Sequence, residues 1–367
     1  MNNTSVFSVR PLYLTVIALC LTLTSCYTLY PAPAPSGSTT TAPAQPSGNT
    51  APATPPEPPP LTGTPVPGDT LTEKLAWLQR SADSHNTYIL EVNADENIAP
   101  TTLQFSGAIN VTIGLRGDDE NRTIRLRSNG TMFTVNSNVT LVLENNITLM
   151  GYPQNTESLV LVNGGTLRLR TGSTITGNAS REGGGIFFRS GTFEMSGGSI
   201  SGNSANNGGG VYVSLAPVSS FTMSGGEISG NSAINGGGMY MSSANFTMSG
   251  GTISGNTATN GGGVYVHNIG TFAMRGGTIS SNSAISRGGG VNVDSTANFI
   301  KTGGIITGYN SNSSNGNAVK DEGGNVIARM GHAVSFAHGN GSIIHRKETT
   351  VGPGVNLSTS SSAGWDS

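Results

Sequence analysis

The sequence predicts an all-β chain, a single-stranded right-handed parallel β-helix with three short strands per coil and an N-terminal amphipathic capping helix. Three observations predict it. A Gly-Gly-Gly-apolar element recurs from Gly183, Gly208, Gly236, Gly261 and Gly288, at spacings of 25, 28, 25 and 27 residues. Each of the first four units then carries a Phe-x-Met pair and a Gly-Gly-x-Ile-Ser segment, so three runs of period-two apolar alternation fall between Gly and Asn turns. Charged residues are only 10% and aromatics 6% of a chain with 53 glycines, a composition that reads as disorder unless its apolar residues are regularly placed, as they are here.

The elements follow in order. Residues 1–26 read as a lipoprotein signal peptide: Arg10, then an apolar run over 12–23 too short to span a bilayer comfortably, then Leu23-Thr24-Ser25-Cys26. A small residue before Cys is the lipobox pattern, so Cys26 is the expected lipidation site. Cleavage before it leaves no second Cys in the sequence after that point, hence no disulfide and no Cys-based metal site. Residues 27–68 hold most of the prolines among Ala, Ser, Thr and Gly, with no apolar periodicity, and are expected to form a disordered tether. In polyproline II such a length reaches on the order of 100 Å.

Asp69, Thr70 and Glu73 give a helix start, and Leu71, Leu75, Trp77 and Leu78 share a face, so 69–84 is the expected cap. A parallel β-helix exposes an apolar cross-section at each end, which an amphipathic helix covers. Residues 85–345 are the expected β-helix. In the regular units Val211 and Val213, Phe221 and Met223, and Ile228 point inward and meet their counterparts in the next coil. The register extends backward through 159–162, 166–170 and 173–178, then 131–135, 139–143 and 147–151, with 89–92, 111–115 and 124–126 supplying the first turns. The insertion at 215–218 is expected to bulge from one turn. The handedness follows the general preference of parallel crossovers, and 346–367 reads as a loose tail.

The pattern Gly-Gly-Gly-Val-Tyr-Val with Phe-Thr-Met-Ser-Gly-Gly-x-Ile-Ser-Gly-Asn, joined to a lipobox and a Pro-rich spacer, resembles the repeat-rich β-helical lipoproteins of spirochaetes of the treponeme type over about residues 70–360. It is distantly similar to the repeats of chlamydial polymorphic outer membrane proteins, although the companion Phe-x-x-Asn motif is not regular here. The first resemblance implies a surface or periplasmic location and an interaction role, and it implies no reaction.

Enzymes built on β-helices need clustered carboxylates, often with a cation beside them. In the regular units Glu194, Glu227, Arg275, Arg287 and Asp294 are sparse and out of register. Asp118, Asp119 and Glu120 beside Arg116 and Arg122 read as a solvated turn. The histidines 85, 267, 332, 338 and 345 share no metal-ligand spacing, and 183–293 contains no Asp for nonapeptide calcium sites. No catalytic residue, cofactor or metal site is therefore expected. A net charge of -2 gives no footprint for nucleic acid, and Arg125, Arg127, Arg168 and Arg170 read as a solvated face.

Two repeated columns remain. Asn178, Asn203, Asn231, Asn256 and Asn282 should form an amide ladder at a turn. Phe187, Tyr212, Tyr240 and Tyr265, followed by Asn292, should form an outward ring column, either stacking to stabilise the sheet or contacting a ligand. The expected protein is thus a non-catalytic, lipid-anchored envelope protein, in the outer membrane by the residue that follows Cys26, presenting a β-helix for adhesion to a host protein, matrix or glycan. The alternatives are a carbohydrate-binding or carbohydrate-active module working along the ring column, and a structural envelope component.

Overall fold

The computed structural model describes residues 59–214, 220–309, 315–327, 332–337, 343–346, 350–351 and 357–358. They form a parallel β-solenoid of about nine turns with one helix. The expected signal peptide, Cys26, residues 27–58 and the insertion at 215–218 lie outside the described residues.

Three long ladders run through the solenoid. The first passes through Thr101–Leu103, Phe133–Asn136, the leading halves of Val160–Leu169 and Ile186–Met195, then Val211–Val213, Met239–Ser242, Val264–His267, Val291–Val293 and Val334–Ala337. The second begins at Thr64–Pro65, Thr87–Val92, Val111–Gly117 and Val139–Leu143, and ends in the leading half of Asn298–Thr307. The third runs from Glu96–Ile98 through Ser199–Ser201 and Glu227–Ser229 to the trailing half of Asn298–Thr307. All these pairings are parallel, so consecutive coils stack in one register and like residues meet.

The core is made of like-on-like columns. Phe193, Phe221, Phe246, Phe272 and Phe299 are buried, with successive ring centroids 4.3, 4.5, 4.9 and 5.3 Å apart. Beside them run Met195, Met223, Met248 and Met274, and across the core Ile200, Ile228, Ile253, Ile279 and Ile306. A unit of this size cannot bury these faces alone, so each coil gets its core from its neighbours.

The structure adds to the expected three strands a fourth short one in the regular units: Ser204–Asn207, Ser232–Asn235, Thr257–Asn260, Ser283–Arg287 and Ala318–Val319 form a separate five-stranded parallel sheet. In the first three of these strands the sequence is Ser/Thr-Ala-x-Asn, with Ala as the recurring apolar residue, too weak an alternation to read as a strand. The coil supplies what the side chains do not, because once three ladders fix the stacking, the backbone of this turn meets its counterpart at pairing distance.

The helix spans Leu71–Ser81. Thr70 is its N-cap and Glu73 reaches back to the backbone N–H groups of Asp69 and Thr70, completing a capping box. Leu71, Leu75 and Leu78 are buried on the first strands, and Trp77 meets Tyr88 edge-on at 5.9 Å.

Two boundaries move. The tether was expected to run to residue 68, yet residues 59–68 lie against the solenoid: Thr64–Pro65 pairs with Tyr88 and Ile89, Val66 N–H donates to Ile89 O at 3.0 Å, and Leu61 N–H donates to Glu144 at 2.7 Å. Composition hides this, because the binding uses backbone groups and one leucine. At the other end, Ile343–Arg346 pairs antiparallel with Val334–Ala337, while Thr350–Val351 and Leu357–Ser358, within the expected loose tail, pair antiparallel with Asn298–Thr307. Antiparallel additions interrupt the parallel stacking at that end.

In the second ladder, Met274 is followed in register by Lys301, fully buried where the Met column would continue. Burial pulls its ammonium down from the ordinary 10.5 to about 8. Between those values the unfolded chain binds a proton that the folded chain releases, so this group makes stability rise with pH there and leaves its full cost below about pH 8. Lys301→Met is expected to gain about 3 kcal/mol at neutral pH, the gain shrinking to zero by about pH 10.5. Denaturant unfolding of both chains across pH 7 to 11 checks it, and the difference between them cancels the buried tyrosines that titrate in the same range.

Candidate functional site

The first ladder places Phe187, Tyr212, Tyr240, Tyr265 and Asn292 at one register position on successive coils. Phe187 meets Tyr212 edge-on at 5.1 Å, with the Arg189 guanidinium 5.1 Å from the Phe187 ring centroid. Tyr212 and Tyr240 stack nearly coplanar at 5.3 Å, and Tyr240 meets Tyr265 edge-on at 5.3 Å. The outward position does not make these rings free. Tyr240 is only 9% exposed and the others are intermediate. Burial raises all three phenols above their ordinary value, with the nearby Glu182 adding to the rise at Tyr212 and Asp294 to that at Tyr265.

The column ends in a polar cluster. Tyr265 Oη donates to Asp294 Oδ1 at 2.8 Å, and His267 Nδ1 is hydrogen-bonded to Asp294 Oδ2. His267 also lies 5.7 Å from Tyr240 and 5.8 Å from Tyr265, ring to ring. Asp294, out of register with the other acids of the sequence, stands one coil after His267, 27 residues on, at the same register position in the column beside the rings. The signal was the Tyr-x-His of the preceding coil.

Ring faces here cover one another, and the Tyr265 hydroxyl is taken up by Asp294. Tyr240→Ser is accordingly expected to destabilise by about 2 kcal/mol, through lost ring contacts on both sides. Thermal unfolding measures this, and a neutral result would return the column to the status of a free ligand surface.

The other singled-out groups pair among themselves. Arg122 holds Asp118 through two 2.7 Å hydrogen bonds and Glu120 at 3.0 Å, keeping the Asp118 carboxyl below its usual range. Arg125 pairs with Asp95 at 3.1 Å and Arg168 with Glu194 at 2.7 Å. Arg170 donates at 2.9 Å to both Glu144 and Pro59 O. Arg127 and Asp119 are not drawn into these pairs. His85 sits beside the Asn110 amide at 3.2 Å, and His332 Nδ1 accepts the Val319 N–H at 2.9 Å, so it is the neutral acceptor nitrogen. His338 lies outside the described residues.

The asparagine column is buried throughout and longer than the sequence suggested, with Asn155 before it and Asn317 after it. From Asn203 on, each backbone N–H and side-chain amide donates to the next side-chain oxygen at 2.8 to 3.1 Å.

A different face is the most repetitive. On the third ladder two outward columns flank the inward Ile residues: Thr174, Ser199, Glu227, Thr252 and Thr278, and Thr176, Ser201, Ser229, Ser254 and Ser280. All but Glu227 are hydroxyl side chains, none of them buried. Their sequence context, x-Ile-Ser, signals the inward Ile by its apolar character, whereas short hydroxyl residues on either side carry no such mark.

No protein-family model, curated protein or solved structure matches this chain.

Proposed function

We propose that this chain is a non-catalytic, lipid-anchored protein of the cell envelope that presents its β-helix to a partner, in keeping with the resemblance to spirochaetal repeat lipoproteins. The observation that carries the reading is the repetition of the third-ladder face, where a pair of Ser or Thr hydroxyls returns on four of five successive coils and Glu227 replaces one hydroxyl on the other. A surface that repeats itself along an axis presents many equivalent weak contacts, which suits an extended or multivalent partner better than a single small substrate. Support for a non-catalytic role comes from the outward acids Asp95, Asp118, Glu120, Glu194 and Asp294, each held by a neighbouring Arg, Tyr or His.

The anchor is tested by metabolic labelling with palmitate, where Cys26→Ser should abolish incorporation and release the protein from membranes. Display is tested with protease on intact cells, which should remove the repeats, and their complete protection would overturn an exposed location. A carbohydrate-binding role along the ring column predicts a glycan-array signal from the parent chain that the triple variant Tyr212→Ala, Tyr240→Ala, Tyr265→Ala loses. A parent chain that binds no glycan ends that alternative.

A further inference from the structure

The second ladder carries an apolar strip on its outer side. Ile89, Gly114 and Val142 occupy one outward register position on three successive coils, and Ile89 and Val142 are 5% and 0% exposed. Within residues 59–66, Leu61 lies over Gly114 and Thr64–Pro65 pairs alongside Tyr88 and Ile89. At Gly114 a Cβ would stand 3.0 Å from Leu61 Cδ2 and 2.9 Å from Ile89 Cδ1, so the missing side chain makes the seat for Leu61. Leu61 is also the first residue after Pro58, Pro59 and Pro60 with a backbone N–H to donate. That N–H goes to Glu144, a carboxylate only 2% exposed, whose other tie is Arg170 at 2.9 Å with Arg116 at 3.9 Å.

The groove therefore requires an occupant. Left open, it would expose two apolar side chains and take a hydrogen bond from a desolvated acid. Yet the occupant is held at its two ends and loosely between them. Its downstream end adds to the second ladder at Tyr88 and Ile89, its upstream end meets Glu144 and Arg170, and beneath it lies a half-open cavity of about 510 Å³ lined in part by Lys74, Glu91, Asn93 and Arg116. It joins the helix cap through Pro67 and Gly68, the latter at φ 128. Because all its contacts fall within eight residues, the same segment from another copy makes the same contacts, and only the short connection through Pro67 and Gly68 differs between the two arrangements.

We propose that residues 59–66 are an exchangeable clasp, and that the flank groove of one chain accepts the clasp of a second copy, linking solenoids side to side. Strand addition at Thr64–Pro65 supplies the backbone pairing, Leu61 the apolar anchor, and Glu144 with Arg170 the polar ends. The proposal does not rest on lipid anchoring.

Thiol trapping tests it. Full-length chains carrying Cys20→Ser and Cys26→Ser, so that no native thiol competes, are made with Leu61→Cys alone, Gly114→Cys alone, both together, or Thr222→Cys alone. The added Cβ at residue 114 crowds the resident Leu61, which favours an incoming cysteine clasp. Mixing the Leu61→Cys and Gly114→Cys chains under mild oxidation should give a mixed disulfide at about tenfold the yield of Leu61→Cys mixed with Thr222→Cys. An internal disulfide in the double variant with no mixed product above the control would overturn the proposal. Light scattering of the cysteine-free parent chain gives a second reading: a dimer fraction that grows with concentration and falls in Leu61→Ser is expected, and a monomer at every concentration up to the solubility limit is the opposite result.

Discussion

Asn256→Ala is expected to cost about 4 kcal/mol, several times the effect of most single polar-to-Ala changes. Asn256 is fully buried, and its side chain is used completely. Its amide donates to Ile228 O at 2.9 Å and to Asn282 Oδ1 at 2.9 Å, while its oxygen accepts from the Asn231 backbone N–H and the Asn231 amide, both at 3.0 Å. Alanine takes the acceptor from the Asn231 backbone N–H and amide and the donor from Ile228 O, while Asn282 Oδ1 keeps only the Asn256 backbone N–H at 3.0 Å; in a place water does not reach, each lost partner is worth roughly 1 to 3 kcal/mol before relaxation. Asn256→Asp keeps the acceptor but loses both donors and buries a charge, so it is expected to be worse. Asn206→Ala, at an exposed position of the fourth ladder, should stay within about 0.5 kcal/mol. Because a solenoid opens coil by coil, the measurement is hydrogen exchange together with denaturant unfolding. Protection should fall first at the amide of Asn231, and unchanged protection there would mean that the ladder is not what ties these coils.

Gly237→Ala is expected to cost at least about 3 kcal/mol, and for a reason other than backbone freedom. A Cβ at Gly237 would lie 2.5 Å from Gly262 O and 2.5 Å from Thr257 O, both main-chain atoms of the next coil, so only a wider coil spacing relieves it. Gly230 is the comparison that isolates this cause. It has φ +61, but nothing closer than 3.9 Å to an added Cβ, so Gly230→Ala should pay only the left-handed cost of about 1 kcal/mol. Thermal unfolding of both variants separates the two, and equal losses would refute the steric account. The triplet as a whole is explained by three demands: Gly236 turns left-handed over Met239 O, Gly237 lets the coils close, and Gly238 leaves room for the Asn256 amide, 3.0 Å from where its Cβ would be.

How much of this could be read in advance varied with the residue. The Phe, Met and Ile columns were plain because inward positions demand apolar side chains and the coil repeats the demand. Asn178 to Asn282 were visible at regular spacing, whereas Asn155 and Asn317 were not, since the coils that hold them differ in length: Asn317 follows Asn282 by 35 residues. Tyr212, Tyr240 and Tyr265 were placed correctly in register, yet their burial depends on how rings lean along the axis, which spacing does not encode. The link from Asp294 to His267 and Tyr265, the seat of Leu61 at Gly114 and the fourth ladder all need the neighbouring segments to be in place first.

The sequence by itself determined the coil: its period, its inward columns, its turn glycines and asparagines, and the helix over its first turn, because each answers to local geometry and to a copy of itself 25 to 28 residues away. Only the tertiary structure decided where the proline-rich segment stops being a spacer and becomes a clasp on the flank, why Lys301 is buried at the end of a methionine column, and which outward side chains are covered. These depend on contacts between unlike segments far apart in the chain, such as Leu61 with Glu144, and a repeat carries no record of a contact made once.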